Sequence, residues 1–242
     1  MKNINLKIPK GSEKYILFQR TKYLLLASNR NIVFRLIYKF ITKVCSYNCY
    51  VKMEAFLFSR MIHAKFTEDI NEEYLTIKDY LPTHAKNVLD IGCGVAGIDA
   101  LIYEHYDNDF EVYLLDKTFV DKKVFYKLER IGSFYNSLSI AQDLLVLNNV
   151  PESQIHTQEV DSGNQIAFDT QFDIVISQIS WGFHYPISVY LDQVYEKMRT
   201  SGVLIVDVRK NSGGEDLLRK KFGFIKVIYE DKSFNRVLVI KN

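Results

Sequence analysis

From residue 87 onward the chain alternates between two hydrophobic rhythms. "NVLDIG", "EVYLLD", "FDIVISQ" and "GVLIVDVR" are apolar runs of strand length, and "SQIHTQEVD" holds a further strand. Between them, "AGIDALIYEHY", "SFYNSLSIAQDLLVLNNV" and "PISVYLDQVYEKMR" carry apolar residues three and four apart, the spacing of helices. Pro186 falls at the first turn of the last of these, where a missing N–H costs nothing. A short helix over "GEDLLRKKFG" leads to "FIKVIYED" and "SFNRVLVIKN", which read as an antiparallel pair around Asp231, Lys232 and Ser233. Strands alternating with helices predict an α/β fold: a seven-stranded, mainly parallel sheet covered by helices on both faces and ending in an antiparallel strand pair.

The N-terminal part follows a different rhythm. "SEKYILFQRTKYLLLAS" reads as a helix with Ser12 as its N-cap, interrupted near "SNRN". Ile32, Val33, Leu36, Ile37, Phe40, Ile41 and Val44 then mark an apolar helical face, with Arg35, Lys39 and Lys43 four apart on the opposite side. Like charges at that spacing repel mildly, so the face is either solvated or meets an anion. Another helix is predicted over 67–81. Charge sharpens the division. Residues 1–65 carry thirteen Lys or Arg against two acids, a net +11, whereas the remaining eighteen bases face 27 acids. The expected organisation is therefore a basic helical N-terminal extension over 1–65 and a second domain over 66–242. Charges interrupt every apolar run short of the roughly 20 residues a membrane span needs. Cys45, Cys49 and Cys93 show no paired spacing, which argues against a disulfide framework or zinc site and for a reducing compartment. "MKNINLKIPKGSEK" lacks the apolar segment of a signal peptide.

The strongest local chemistry lies in "VLDIGCGVAG". Gly92, Gly94 and Gly97 form G-x-G-x-x-G between a strand and a helix, a pattern that lets backbone turn sharply and approach a ligand. By itself it would suit a dinucleotide. Asp90, just before the glycines, would repel a pyrophosphate but suits an ammonium group. Asp116 ends the next strand, 19 residues beyond Gly97, where an acid can accept both ribose hydroxyls. With the terminal strand pair, these features resemble the class I S-adenosylmethionine-dependent methyltransferases, over roughly residues 67–242. The resemblance implies a Rossmann-like methyltransferase fold with S-adenosyl-L-methionine as cofactor. It places Gly92, Cys93 and Gly94 under the methionine and ribose, Asp90 near the amino group and Asp116 on the ribose. It also places Asp161 and Ser162 at the adenine and Gln178 at the sulfonium end. Cys93 reads as a small packing residue. "KTFVDKKVFYKLERIG" is longer than the family's usual connection and is expected to hold an extra helix.

"SQISWGFHYPISVYL" is the loop expected to cover the transferable methyl. Trp181, Phe183 and Tyr185 would wall an acceptor pocket, or pack the sheet edge as core. His184 is a candidate general base for a hydroxyl acceptor, or a structural histidine in an aromatic turn. Adenine or glutamine N-methylation, cytosine C5-methylation and metal-dependent catechol chemistry all lack their motifs, so no metal is expected. The leading reading is O-methylation of a small molecule or saccharide. The alternatives are an RNA methyltransferase using the basic N-terminal region, and a non-catalytic protein that keeps the cofactor fold. The basic helices would form a lid or meet an anionic partner: a membrane surface, a lipid-linked phosphate or RNA. The expected location is the cytoplasm, with association at a membrane surface.

Overall fold

A buried acid organises the N-terminal helices. The computed structural model describes residues 5–28, 32–44, 46–106, 109–120 and 135–242. Helix α1 (Glu13–Gln19) runs into a 3-10 turn over Thr21–Tyr23 and then α2 (Leu25–Ser28), so the predicted single helix is broken at Arg20. Glu54, on α4 (Tyr47–Leu57), accepts the Leu25 and Leu26 amides at 2.7 and 2.8 Å and the Tyr50 hydroxyl. It therefore satisfies the donors that the break leaves open at the start of α2. Ser12 does stand at the N-cap position, but its hydroxyl donates to the Pro9 carbonyl and caps nothing.

Helix α3 (Ile32–Val44) divides its described side chains between core and surface. Tyr38 and Ile41 pack against the core, while Ile32, Val33, Leu36 and Val44 stand 56–69% exposed. The side chains of Arg35, Ile37 and Phe40, and the whole of Cys45, lie outside the described residues. Helix α5 (Ser59–Ile77) begins eight residues before the predicted start at 67, because the Phe58 junction turns the chain directly from α4 into it.

The sheet then follows. Its strands are β1 (Asn87–Ile91), β2 (Glu111–Asp116), β5 (Ile155–Glu159), β6 (Phe172–Ser177), β8 (Met198–Arg209), β9 (Lys226–Glu230) and β10 (Phe234–Ile240). Their order is β5-β2-β1-β6-β8-β10-β9, with β10 antiparallel to both neighbours and the other pairings parallel. The predicted α/β sheet with its terminal antiparallel pair is present. All five residues of β1 are buried, as a central strand covered on both faces requires.

Successive side chains on these strands enter different cores. Val88, Leu114, Ile174 and Ile176 join Ile16, Tyr50, Phe66 and the helices α6 (Gly97–His105) and α7 (Leu138–Leu147) on one face. Leu89, Val175, Leu204 and Val206 meet α8 (Leu191–Lys197) and α9 (Gly214–Phe222) on the other. The N-terminal residues thus share the first of the two cores with the sheet.

Three local expectations are corrected. A short ladder of β3 (Phe119–Val120) with β4 (Tyr135–Asn136) precedes α7, so the helix starts at Leu138. Most of the long connection expected to hold an extra helix, residues 121–134, lies outside the described residues. The stretch after Pro186 is a 3-10 turn over Ile187–Val189 before the short α8; Pro186, with an extended backbone (ψ 147°), stands at the N-cap of that turn and not inside the first turn of a long helix. The supposed loop after the fourth predicted strand is itself extended, as β7 (Ser180–Tyr185), lying beside β8.

Candidate functional site

Sheet order reverses beside β1: one run of connections leads to β2 and β5, the next to β6 and β8. Open α/β sheets bind ligands outside the carboxyl ends of the strands at such a point. A cleft of about 720 Å³ opens there, within the usual size of small-molecule sites.

Its floor is the glycine turn. Gly92 and Gly94 have φ of +77° and +57°, conformations that side chains disfavour. A Cβ on Gly92 would stand 1.8 Å from Ser180 Oγ, and one on Gly94 would meet Gln19 Oε1 at 2.7 Å. Ala96, not Gly97, takes the left-handed position that opens α6 (φ 58°). Gly97 serves packing instead, since a Cβ there would press on Phe66 and Ile70 of α5 at 2.7 and 3.1 Å. It still lines the cleft.

Asp116 closes one side. Its carboxylate accepts from Gly94 N–H at 2.9 Å, Asn136 Nδ2 at 2.8 Å and Lys117 N–H at 2.7 Å. Burial pushes its pKa up to about 6, against the pull of those donors. Asp90 is 3% exposed, lines the cleft, and its Oδ1 has no partner among the described residues. Cys93 is buried, and desolvation with the Asp116 charge raises its thiol, so it stays neutral as a packing group.

At the far strand end, Gln178 lines the cleft with its Nε2 buried and without a partner among the described residues. Ile179 follows with φ 51°, a strained conformation for a β-branched residue. Its amide is held by Asp207 Oδ2 at 3.2 Å. Asp207 in turn receives Arg236 Nε and Nη2 at 2.7 and 2.8 Å, and Arg236 Nη1 donates to Thr76 of α5 at 2.7 Å. This buried bridge ties β8, β10 and α5 to the joint above Gly92.

Phe183, His184 and Tyr185 line the cleft as well. Arg209 lies 4.1 Å from the Phe183 ring and donates to the Phe183 carbonyl at 2.9 Å. His184 Nδ1 is buried without a partner among the described residues, and desolvation, helped by Arg209, lowers its pKa to about 4. The ring is neutral at pH 7.

Two groups of sequence candidates fall elsewhere. Trp181 is fully buried in the core beneath α8 and donates its indole N–H to the Ile187 carbonyl at 2.9 Å. Gly182, at φ +89°, breaks the strand alternation, so Trp181 turns inward while Phe183, His184 and Tyr185 reach the cleft. Asp161 and Ser162 are exposed and outside the cleft, because Asp161 folds back to accept Gly163 N–H at 2.9 Å; Val160 lines it in their place.

The roof comes from the N-terminal region that the sequence reading offered as a lid, without naming its residues. Phe18, Gln19, Arg20 and Lys22 cover the cleft from the N-terminal side. Gln19 Nε2 reaches Asn136 Oδ1 at 3.5 Å, and Arg20 grips Glu73 through two bonds of 2.7 and 2.9 Å. No spacing in the sequence signals Gln19 or Asn136. Asp207 and Arg236 did carry a signal: each is a charge set among the apolar residues of a strand, where burial demands a partner.

The residues fit a sulfonium nucleoside. Asp90 supplies a buried carboxylate oxygen without a partner among the described residues for an ammonium group, the two positive-φ glycines line the cleft with the Ser180 and Gln19 side chains close against them, and Asp116 offers acceptors one strand over. Comparison with solved structures agrees on the fold. A 16S rRNA N2 G1207 methyltransferase from Thermus thermophilus, solved with AdoMet and guanosine, matches 72% of this chain with a TM-score of 0.52 and 14% identity. This chain spans only 43% of that protein's length. A protein provisionally named a caffeoyl-CoA O-methyltransferase from Staphylococcus aureus matches 86% of this chain and 98% of its own, with a TM-score of 0.51 and 13% identity. Precorrin-6y C5,15-methyltransferase from Geobacter metallireducens matches 69% of this chain and 86% of its own, at 0.50 and 13%. No family model and no curated protein matches the sequence. The chain has the fold of the S-adenosylmethionine-dependent methyltransferases.

Proposed function

We propose that the protein is an S-adenosylmethionine-dependent methyltransferase that methylates a hydroxyl of a small molecule or saccharide. One observation supports this above the others: Asp90, Gly92, Gly94 and Asp116 converge on a single cleft that also receives His184. The bound cofactor supplies an electrophilic methyl on a sulfonium. The chain's own residues do the rest. Asp90 takes the ammonium, Asp116 the ribose hydroxyls, and Gln178 offers a polar contact at the reacting end. Phe183 and Tyr185 exclude water and hold the acceptor, so that positioning supplies much of the rate. Neutral His184 accepts the hydroxyl proton as the oxygen attacks. Its low pKa makes it a weak base, and its share of the catalysis is correspondingly modest.

The outer wall of the cleft bears Asp69, Glu72, Glu73 and Asp231. Arg20 and Lys22 pair with Asp69 and Glu73, yet the lining still holds more acids than bases, which disfavours RNA phosphates and sets the RNA reading second. Calorimetry with S-adenosylmethionine tests the cofactor: wild type binds and Asp116→Ala weakens binding at least about tenfold, as loss of a charged hydrogen-bond acceptor requires. Absence of binding by the folded wild-type protein sinks the reading. Transfer of labelled methyl into a metabolite extract, with RNA as the competing acceptor, identifies the product.

The basic extension meets an anionic lipid surface in this reading. Exposed Ile32, Val33, Leu36 and Val44 share one arc of α3, and the same helix carries exposed Lys39 and Lys43, a combination suited to an interfacial helix. No helix among the described residues is long and apolar enough to cross a membrane.

A further inference from the structure

The floor of the cleft hides a second carboxyl group. Asp99 sits in the first turn of α6, is fully buried, and neither of its oxygens has a hydrogen-bond donor among the described residues. It faces Asp90, whose Oδ1 is likewise without a donor. Two buried carboxylates in contact cannot both carry charge, and neither could be satisfied without a proton between them. The other titratable groups around Asp90 bring no cation: Asp116 on β2, Cys93 in the glycine turn and Tyr185 on β7. Burial moves both acids upward, Asp99 to about 7 against the pull of its contact with Asp90 and its own amide, while the Asp99 charge raises Asp90 further.

We infer that Asp90 and Asp99 share one proton, and that a cationic amino group docking at Asp90 expels it to solvent, making Asp99 the positioning residue that sets the pH at which cofactor binds. The inference rests on the methyltransferase reading above. The sign follows from linkage. The free protein holds a proton that the complex does not, so affinity rises with pH, by about tenfold per unit where one proton is released. The rise ends near pH 8, where the ligand's own α-amino group begins to lose its charge. Asp116, raised to about 6, adds a slope of the same sign only below that pH.

The test uses S-adenosylhomocysteine, which keeps the amino group, and 5′-methylthioadenosine, which lacks it. Calorimetry at pH 7 in two buffers of different ionisation enthalpy counts the protons. Wild type is expected to release about one proton with the first ligand and about none with the second. In Asp99→Asn the amide donates to Asp90 permanently, so Asp90 ionises without surrendering a shared proton. That variant is expected to release about none, to bind about a hundredfold tighter than wild type at pH 6, and to match it at pH 8. A purely structural role would lower affinity equally at every pH. Absence of proton release from wild type, or parallel pH slopes in wild type and variant, overturns the inference while leaving the cofactor assignment standing. Failure of S-adenosylhomocysteine to bind at any pH overturns both. If Asp99→Asn does not fold, the wild-type proton count decides alone, with Asp99→Ser as second variant.

Discussion

His184 shows how a residue type and its surroundings give different answers. A histidine at the end of a strand in a cleft suggests a base titrating near neutrality. Burial and Arg209 remove that titration, placing the pKa at about 4. The neutral form, the one able to accept a proton, is therefore complete throughout the physiological range. Turnover should be flat with respect to this group from pH 6 to 8 and fall only as pH drops toward 4. His184→Ala should lower kcat by about 10²-fold, the low end for a general base, with cofactor affinity within about twofold. Steady-state rates across pH, with calorimetry on the variant, check both. Unchanged turnover in the variant removes His184 from the chemistry. Asp90, Gly92, Gly94 and Asp116 were legible because their signal is local: a turn that needs positive φ must write glycine into the chain, and a strand end fixes where the next acid stands. Trp181 was not. Its neighbour Gly182 breaks the two-residue alternation, so its direction depended on backbone geometry that composition does not record.

At the scale of elements, the joint between β6 and β7 is held in a strained shape by a bridge from the opposite end of the chain. Arg236 on β10 and Asp207 on β8 are 2% and 0% exposed, and their register pairs them directly across the ladder. Arg236→Leu leaves a buried carboxylate unpaired and should cost about 3–5 kcal/mol, whereas the double change Arg236→Met with Asp207→Leu should recover most of that. Urea denaturation reads both. The double variant also releases the Ile179 amide, so methyl transfer should fall in it even where stability returns. A stable, fully active double variant would show that the bridge serves the fold alone. Asp207 and Arg236 lie 29 residues apart among apolar neighbours, and their partnership became visible only in the antiparallel register.

Across the whole molecule, charge and apolar surface are distributed unevenly. Residues 1–65 supply both the roof of the cleft and the outward face of α3, so one basic region serves site and surface. Vesicles containing phosphatidylglycerol should sediment the protein and pure phosphatidylcholine vesicles should not. Lys39→Glu with Lys43→Glu should weaken that binding at least about tenfold, since each basic residue near an anionic surface contributes about 1 kcal/mol. Equal binding to both vesicle types, or RNA competing the protein off, rejects the lipid reading.

The amino-acid sequence on its own determined the alternation of strands and helices, the glycine turn and the acid one strand over, because each depends on residues a few positions apart. Tertiary structure alone decided which side chains complete the cleft. Gln19, Asn136, Thr76 and Arg236 meet there from α1, β4, α5 and β10, brought together by sheet order and helix packing. Contacts across such separations leave no period in a sequence, since any spacing that reaches the same point in space serves equally well.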